Sequence, residues 1–290
     1  MNVLITGAGG QVALQLMAGR PPHARVSAMD RTELDISDRD AVRKALASAS
    51  PQVIINAAGY TAVDKAEQEP GKAMLANALG PRVLAEAARE MAGCRLIHIS
   101  SDYVFGAAGG RPLQPLDPTS PLGAYGRSKL AGEHAVVEVL GSRTVLLRTS
   151  WVYGGHGRNF LHTMLRLMRA QGAVRVVADQ VGTPTSTPAL AEVIWAFALR
   201  REIAGVYHWS DAGAASWYDF AVAIAEEGAN LGLLPADVDV TPIATEDFPT
   251  LAVRPAYSVL DKRATVDVLG ILPRHWRVRL REVLGSMRNG

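Results

Sequence analysis

Cysteine occurs once in the 290 residues, at Cys94, and only five of the thirty cationic side chains are lysines. A single thiol excludes a disulfide framework and a cysteine-held zinc site. Net charge is scarce as well. A formal +2 is a small arginine excess, far from the dense basic field that nucleic-acid binders present. No apolar run reaches the roughly 18 residues a membrane span needs. Met1-Asn2 leads straight into an apolar strand without a basic stretch, so no secretory signal is expected. These absences predict a cytoplasmic protein with neither nucleic acid nor membrane as partner. With 48% hydrophobic and 20% charged residues, 27 glycines and 16 prolines, disordered and collagen-like chains are excluded too. The length favours two units, at roughly 150 residues per domain.

In the first half, short β-rich runs alternate with longer Ala/Leu-rich segments. Strands are expected at Val3–Thr6, Arg25–Met29, Pro51–Ile55, Arg95–Ser100 and Thr144–Arg148. Helices are expected at Gln11–Ala18, after Ser37 as N-cap, and as one piece from Gly71 to Met91. Strands without in/out alternation, each followed by an amphipathic helix, imply a parallel sheet covered on both faces. The fold class is therefore α/β, a doubly wound parallel sheet, with a smaller mixed α/β lid. Residues 1–150 form the predicted dinucleotide-binding domain, with a return segment at about 174–204 that includes the strand-like run Val174–Ala178. Residues 151–173 and 205–290 form the predicted substrate-binding domain. Pro112, Pro115, Pro118 and Pro121 recur every third residue and read as an extended loop flanking the site. Arg274–Arg281 reads as a solvated helix face.

Chemistry begins at Thr6-Gly7-Ala8-Gly9-Gly10-Gln11-Val12-Ala13, which closes the first strand and opens the first helix. Gly7 and Gly10 let the backbone approach a pyrophosphate at the helix N-terminus, where unpaired N–H groups and a partial positive charge favour an anion. Asp30 ends the second strand, near the roughly 20-residue offset at which a carboxylate meets the adenosine ribose. Asp30 favours NAD by repelling a 2′-phosphate, whereas Arg31 would embrace that phosphate, so both cofactors stay open.

Tyr125 and Lys129 are spaced i, i+4, on one face of a helix. An ammonium beside a phenol stabilises the phenolate and lowers a pKa that is ordinarily about 10. In a chain that uses arginine as its default cation, a lysine here points to a need for a compact charge. His98-Ile99-Ser100-Ser101-Asp102-Tyr103 ends the fourth strand, at the sheet edge where ligands bind in such folds. A serine hydroxyl there can hydrogen-bond a substrate carbonyl. His98 reads as a packed core histidine, as do Trp195, Trp209 and Trp276 as core tryptophans. No metal-ligand spacing occurs.

The set Thr6-Gly7-x-x-Gly10, Asn56-Ala57-Ala58-Gly59, Ser101 and Tyr125-x-x-x-Lys129 resembles the extended short-chain dehydrogenase/reductases, enzymes of Rossmann fold. Val63-Asp64-Lys65-Ala66-Glu67 and Ser150-Trp151-Val152-Tyr153 narrow the resemblance to the dTDP-4-dehydrorhamnose reductase family, and matching segments span nearly the whole chain. The resemblance implies reduction of the C4 ketone of dTDP-4-dehydro-β-L-rhamnose to dTDP-β-L-rhamnose for polysaccharide biosynthesis, using NADPH or NADH. It implies that Tyr125 is the proton donor, Lys129 its activator and a ribose ligand, and Ser101 a hydrogen-bond donor to the reacting carbonyl. Gly7, Gly10, Gln11, Val12, Asp30, Arg31, Asp35, Ile36, Gly59, Tyr60, Thr61 and Ile99 would line the cofactor, with Tyr125 and Lys129. Ser101, Asp102, Trp151 and Asn159 would hold the nucleotide-sugar.

Two departures from the family pattern stand out. Ala13 replaces the last glycine of the turn. Gln15 stands where some members carry a glutamate at a magnesium-linked dimer contact, so a homodimer is admitted but no metal is carried over. Three alternative readings follow from the same motifs. A nucleotide-sugar epimerase would recycle tightly held NAD. A dehydratase would carry Asp-Glu where this chain has Asp102-Tyr103. A non-catalytic NADP-binding subunit, like the regulatory subunit of methionine adenosyltransferase, would not need Ser101, Tyr125 and Lys129 intact.

Overall fold

The computed structural model describes residues 1–106 and 110–289. Five strands of the first half, β1 (Asn2–Thr6), β2 (Arg25–Met29), β3 (Val53–Asn56), β4 (Arg95–Ser101) and β5 (Thr144–Thr149), join one parallel sheet. The burial patterns of β3 and β5 are continuous, as strands covered on both faces require. Between them run α1 (Gln11–Ala18), α2 (Arg39–Ala49), α3 (Val63–Gln68), α4 (Pro70–Met74), α5 (Gly80–Glu90) and α6 (Ala124–Leu140). The second half adds β6 (Val152–Tyr153), α7 (Phe160–Gln171), β7 (Ala173–Val177), β8 (Val181–Gly182), β9 (Thr185–Ser186), α8 (Thr187–Leu199), β10 (Gly205–Trp209), β11 (Ala215–Ser216), α9 (Trp217–Asn230), β12 (Asp239–Ile243), α10 (Arg263–Leu269) and α11 (Trp276–Asn289).

The six-stranded sheet has the order β10-β5-β4-β3-β1-β2. The chain steps from β1 outward to β2, then returns to place β3 on the other side of β1. That reversal creates a crevice at the C-terminal ends of β1 and β3, the position where doubly wound sheets bind ligands. One face is sealed by a core that includes Ile5, Leu16, Ile55, Leu147, Leu190 and Trp209, the other by Leu4, Val42, Leu46, Ile54, Leu84 and Leu146. A further core, with Tyr153, Leu165, Met168, Phe220, Ile224 and Leu284, lies in the second half. His98, Trp195, Trp209 and Trp276 are all buried.

Four sequence expectations need correction. The run near 174–178 does not return to the large sheet. It pairs in parallel with β12, and β10, assigned to the lid, takes the sheet edge beside β5 instead. A Val-rich strand has the same composition whichever partner it finds, so only tertiary pairing decides. The helix expected from Gly71 to Met91 is broken by a single π turn at Leu75–Leu79. The N-cap of α2 is Asp38, whose carboxylate accepts from the Asp40 and Ala41 amides, while the Ser37 hydroxyl donates back to Asp35 at 2.6 Å. In the Arg274–Arg281 stretch, Arg277 and Arg281 form ion pairs with the largely buried Glu227, so the face is partly tied to α9.

Candidate active site

Gly7 leaves β1 at φ +77°. A Cβ there would lie 2.8 Å from the Ala58 main chain, so only glycine lets the ends of β1 and β3 approach this closely. Gly10 donates its N–H to the Gly7 carbonyl at 2.9 Å and caps α1 without a side-chain hydrogen bond. The first amides of α1 are thereby left for an anion. Ala13 is fully buried beneath the turn.

Gly7, Gly10, Asp30, Arg31, Asp35, Ile36, Gly59 and Tyr60 line one cleft of about 540 Å³. The Asp30 carboxylate is turned into its own loop, where Oδ1 accepts from the Thr32 amide and hydroxyl, both at 2.7 Å, and from the Glu33 amide. The Thr32 hydroxyl bond, with those two amides, lowers its pKa. Asp35 is held similarly low by the Ser37 hydroxyl and amide. Arg31 is 86% exposed, and its ion pair with Asp35 is long at 3.8 Å. Val12 packs against the core, and Thr61 is exposed.

The cleft runs toward a second cluster through Gly59, where a side chain would come within 4.0 Å of Lys129 Nζ. Lys129 is buried and donates to the Ile99 carbonyl at 2.6 Å. Burial pushes its pKa down to about 8, against the pull of Glu133. Tyr125, one helical turn earlier, has its pKa pushed up to about 12 by burial, with the Ser101 hydroxyl drawing it partly back; the lowering by Lys129 expected from the spacing is overturned, because burial outweighs it. The Ser101 hydroxyl donates to Asp102 at 2.9 Å and accepts from the Tyr103 amide. Burial raises the Asp102 carboxyl to about 6, against the Ser258 and Ser101 hydroxyls. Ser101, Asp102, Tyr125 and Lys129 thus meet at the end of β4. His98 lies beneath them, bonded to the Asn56 side chain at 3.0 Å. Burial holds its pKa well below the usual value, so it is a neutral packing residue.

Sequence reasoning missed Asn77, at the centre of the π turn. Its Oδ1 accepts from the Tyr60 amide at 2.8 Å, and its Nδ2 donates to the Tyr60 carbonyl and the Ser128 hydroxyl, both at 2.9 Å. One buried side chain therefore clamps the Gly59-Tyr60 loop to the helix of Tyr125 and Lys129. The segment Val63–Glu67 also acquires a physical role. Asp64 pairs with Arg254 at 2.7 Å, and Glu67 accepts from the Ala124 amide at the start of α6. A buried Arg148–Glu133 pair at 2.7 Å anchors β5 to α6, and Arg148 also donates to the Pro115 carbonyl of the proline-rich loop.

Gln11 and Asn159 meet each other. Gln11 donates to the Val152 carbonyl and accepts from Asn159 at 3.1 Å, while Asn159 caps α7 through the His162 amide. Trp151 follows the end of β5, where Thr149 stands opposite Ser101 in the sheet register.

Comparison with known proteins agrees with this architecture. The family model of the RmlD substrate binding domain matches residues 1–289. A Bacillus subtilis spore coat polysaccharide biosynthesis protein is 41% identical over 98% of this chain and 96% of its own. The dTDP-4-dehydrorhamnose reductase of Aggregatibacter actinomycetemcomitans is 40% identical over 97% of this chain and 98% of its own. The crystal structure of a Bacillus anthracis dTDP-4-dehydrorhamnose reductase in complex with NADP superposes with TM-score 0.91 at 34% identity, covering 98% of each chain.

Proposed function

Because this chain belongs to the RmlD substrate binding domain family, we propose that it reduces the C4 ketone of dTDP-4-dehydro-β-L-rhamnose to dTDP-β-L-rhamnose, with NADPH as cofactor and NADH as its substitute. The observation that carries the reading is the meeting of Ser101, Tyr125 and Lys129 at one strand end, beside a glycine cradle open to a dinucleotide. The cradle fits that cofactor on structural grounds, since a Cβ at Gly7 would close the approach of β1 to β3. Gly7, Gly10, Gln11 and Val12 would hold its phosphates, Asp30, Arg31, Asp35 and Ile36 its adenosine half, and Gly59, Tyr60, Thr61, Ile99, Tyr125 and Lys129 its nicotinamide half. When bound, it supplies the hydride that reduces the ketone.

The chain's own residues handle the proton. Negative charge gathers on the carbonyl oxygen as the ketone is reduced, and preplaced donors stabilise it most in a site closed to water. Tyr125 is one of those donors, and Ser101 is the other once its single hydroxyl proton turns from Asp102 to the ketone oxygen. With its pKa pushed up to about 12, the phenol holds its proton at neutral pH and gives it up only as the alkoxide forms. Lys129 then steadies the phenolate. Asp102, Trp151 and Asn159 are assigned to the nucleotide-sugar, and the second-half segments around α7 and α9 to its binding unit. The same reading sets the enzyme in the cytoplasm as a homodimer, an assembly that light scattering measures.

The test follows nicotinamide absorbance with enzymatically prepared dTDP-4-dehydro-β-L-rhamnose. Wild-type protein should consume NADPH, and Tyr125→Phe should bind the cofactor with little turnover. Tight cofactor binding without consumption would overturn the reductase reading.

A further inference from the structure

Trp151 and Ser50 are the two non-glycine residues with positive φ among the described residues, and Trp151 stands at +46°. A bulky side chain in that region costs about 1–3 kcal/mol and persists only where its surroundings over-determine it. Those surroundings are specific. The indole lies parallel to that of Trp217, with ring centroids 3.5 Å apart and planes within 7°. Its other neighbour is Gly182, where a Cβ would come within 2.6 Å of the indole. The main chain is pinned on both sides, since the Thr185 amide donates to the Trp151 carbonyl and the Ser150 hydroxyl to the Thr183 carbonyl at 2.8 Å.

Trp217 is itself well fixed. It opens α9 directly after Ser216, whose side chain forms a reciprocal capping box with Asp219. Ser216 pairs with Val181, next to the glycine notch. Phe160 supports the Trp217 ring at 4.7 Å. Thus three segments far apart in sequence converge to hold one strained tryptophan, two residues beyond the Thr149 that stands opposite Ser101.

We propose that Trp217 is a positioning residue for the sugar: it acts through Trp151, holding that indole at the lip of the site so that the ketone is presented to Ser101 and Tyr125. The inference rests on the reductase reading and assigns a role to a residue outside the catalytic and cofactor sets. Trp217 is not among the residues that line the glycine cleft, so its main effect is expected on the nucleotide-sugar.

The experiment is a kinetic double-mutant cycle on the full chain, with Trp217→Ala, Trp151→Ala and the double variant, and Trp217→Phe as the conservative rescue. In Trp217→Ala the KM for the nucleotide-sugar should rise about tenfold, about 1.4 kcal/mol, while the KM for NADPH stays within about twofold. Trp217→Phe should recover much of that loss, because a flat ring still stacks on Trp151. In the Trp151→Ala background, Trp217→Ala should cost nothing further, the non-additivity expected of residues acting as one unit. Additive losses, or the two KM values moving together in an active enzyme, would overturn the inference alone. A wild type that turns over no nucleotide-sugar would overturn the reductase reading on which it rests.

Discussion

Lys129 donates its ammonium to the Ile99 carbonyl at 2.6 Å, which ties the helix carrying Tyr125 to the strand carrying Ser101. The bond fixes where the charge sits, and burial weakens the charge itself by lowering the pKa to about 8. The phenol is perturbed in the opposite direction, up to about 12. Lysine therefore loses its proton first as pH rises.

That order sets the pH profile. Ketone reduction should hold a plateau below about pH 8 and fall above it as Lys129 becomes neutral, while Tyr125 is still protonated. Lys129→Met should lower the plateau by about 10²-fold or more, the usual scale for disabling acid–base assistance, and abolish the falling limb. Steady-state rates measured from pH 6 to 10 check both points. A limb that survives in Lys129→Met would assign it to another group.

Asp102 gives a prediction about stability. Its carboxyl is raised to about 6 from 3.8, so the folded state binds the proton more tightly than the unfolded one. The sign follows from linkage. The stabilising contribution of the protonated form is complete below pH 3.8 and lost as pH rises through about 6. Above that, holding a buried carboxylate costs about 3 kcal/mol at roughly 1.4 kcal/mol per pKa unit. Asp102→Asn should therefore raise Tm at pH 7–8 and give almost no gain at pH 4. Calorimetry at the two pH values measures the difference, and an equal gain at both would refute the buried-charge account. Activity should fall in the same variant if Asp102 holds the sugar.

Asn77→Ala should act through the loop it clamps. Removing the amide leaves the Tyr60 amide and carbonyl and the Ser128 hydroxyl without their partner, a loss of about 1–3 kcal/mol for buried groups. The KM for NADPH should rise with it, because the same loop lines the cofactor cleft. Denaturant melts and cofactor titration together separate the two effects. A destabilised enzyme with unchanged cofactor affinity would reduce Asn77 to a packing role.

Much of this site was legible from the chain alone, for reasons that particular residues make plain. Gly7 and Gly10 are local requirements of one turn, and Tyr125 and Lys129 share a face because helical spacing dictates it. The strands β1 to β5 could be read because each is a short apolar run between breakers. The π turn was not legible, since Leu75–Leu79 has ordinary helical composition. It is stabilised by partners at Tyr60 and Ser128, which no local pattern joins to Asn77. The pairing of β7 with β12 and the ion pair of Arg148 with Glu133 were hidden for the same reason. Trp151 was visible as a motif residue, but its left-handed backbone depends on Gly182 and Trp217, which arrive from later segments.

The end of the cleft lined by Asp30 and Arg31 is where the two cofactors should be told apart. Asp30, the residue expected to repel a 2′-phosphate, is anchored through Oδ1 to Thr32 and Glu33, bonds that keep its carboxylate ionised. Arg31 is the opposite case, 86% exposed and only loosely paired with Asp35 at 3.8 Å. A guanidinium held so weakly can turn to a phosphate at little cost, and its planar fork suits that anion. Arg31→Ala should therefore raise the KM for NADPH about tenfold, about 1.4 kcal/mol, and leave the KM for NADH nearly unchanged. Asp30→Ala should weaken NADH more than NADPH, because the ribose hydroxyls lose an acceptor while the phosphate loses a repulsive neighbour. Initial rates of each variant with both dinucleotides test the pair. If Arg31→Ala weakens both cofactors equally, its part is general electrostatic attraction, and discrimination lies with other residues of the cleft such as Lys72.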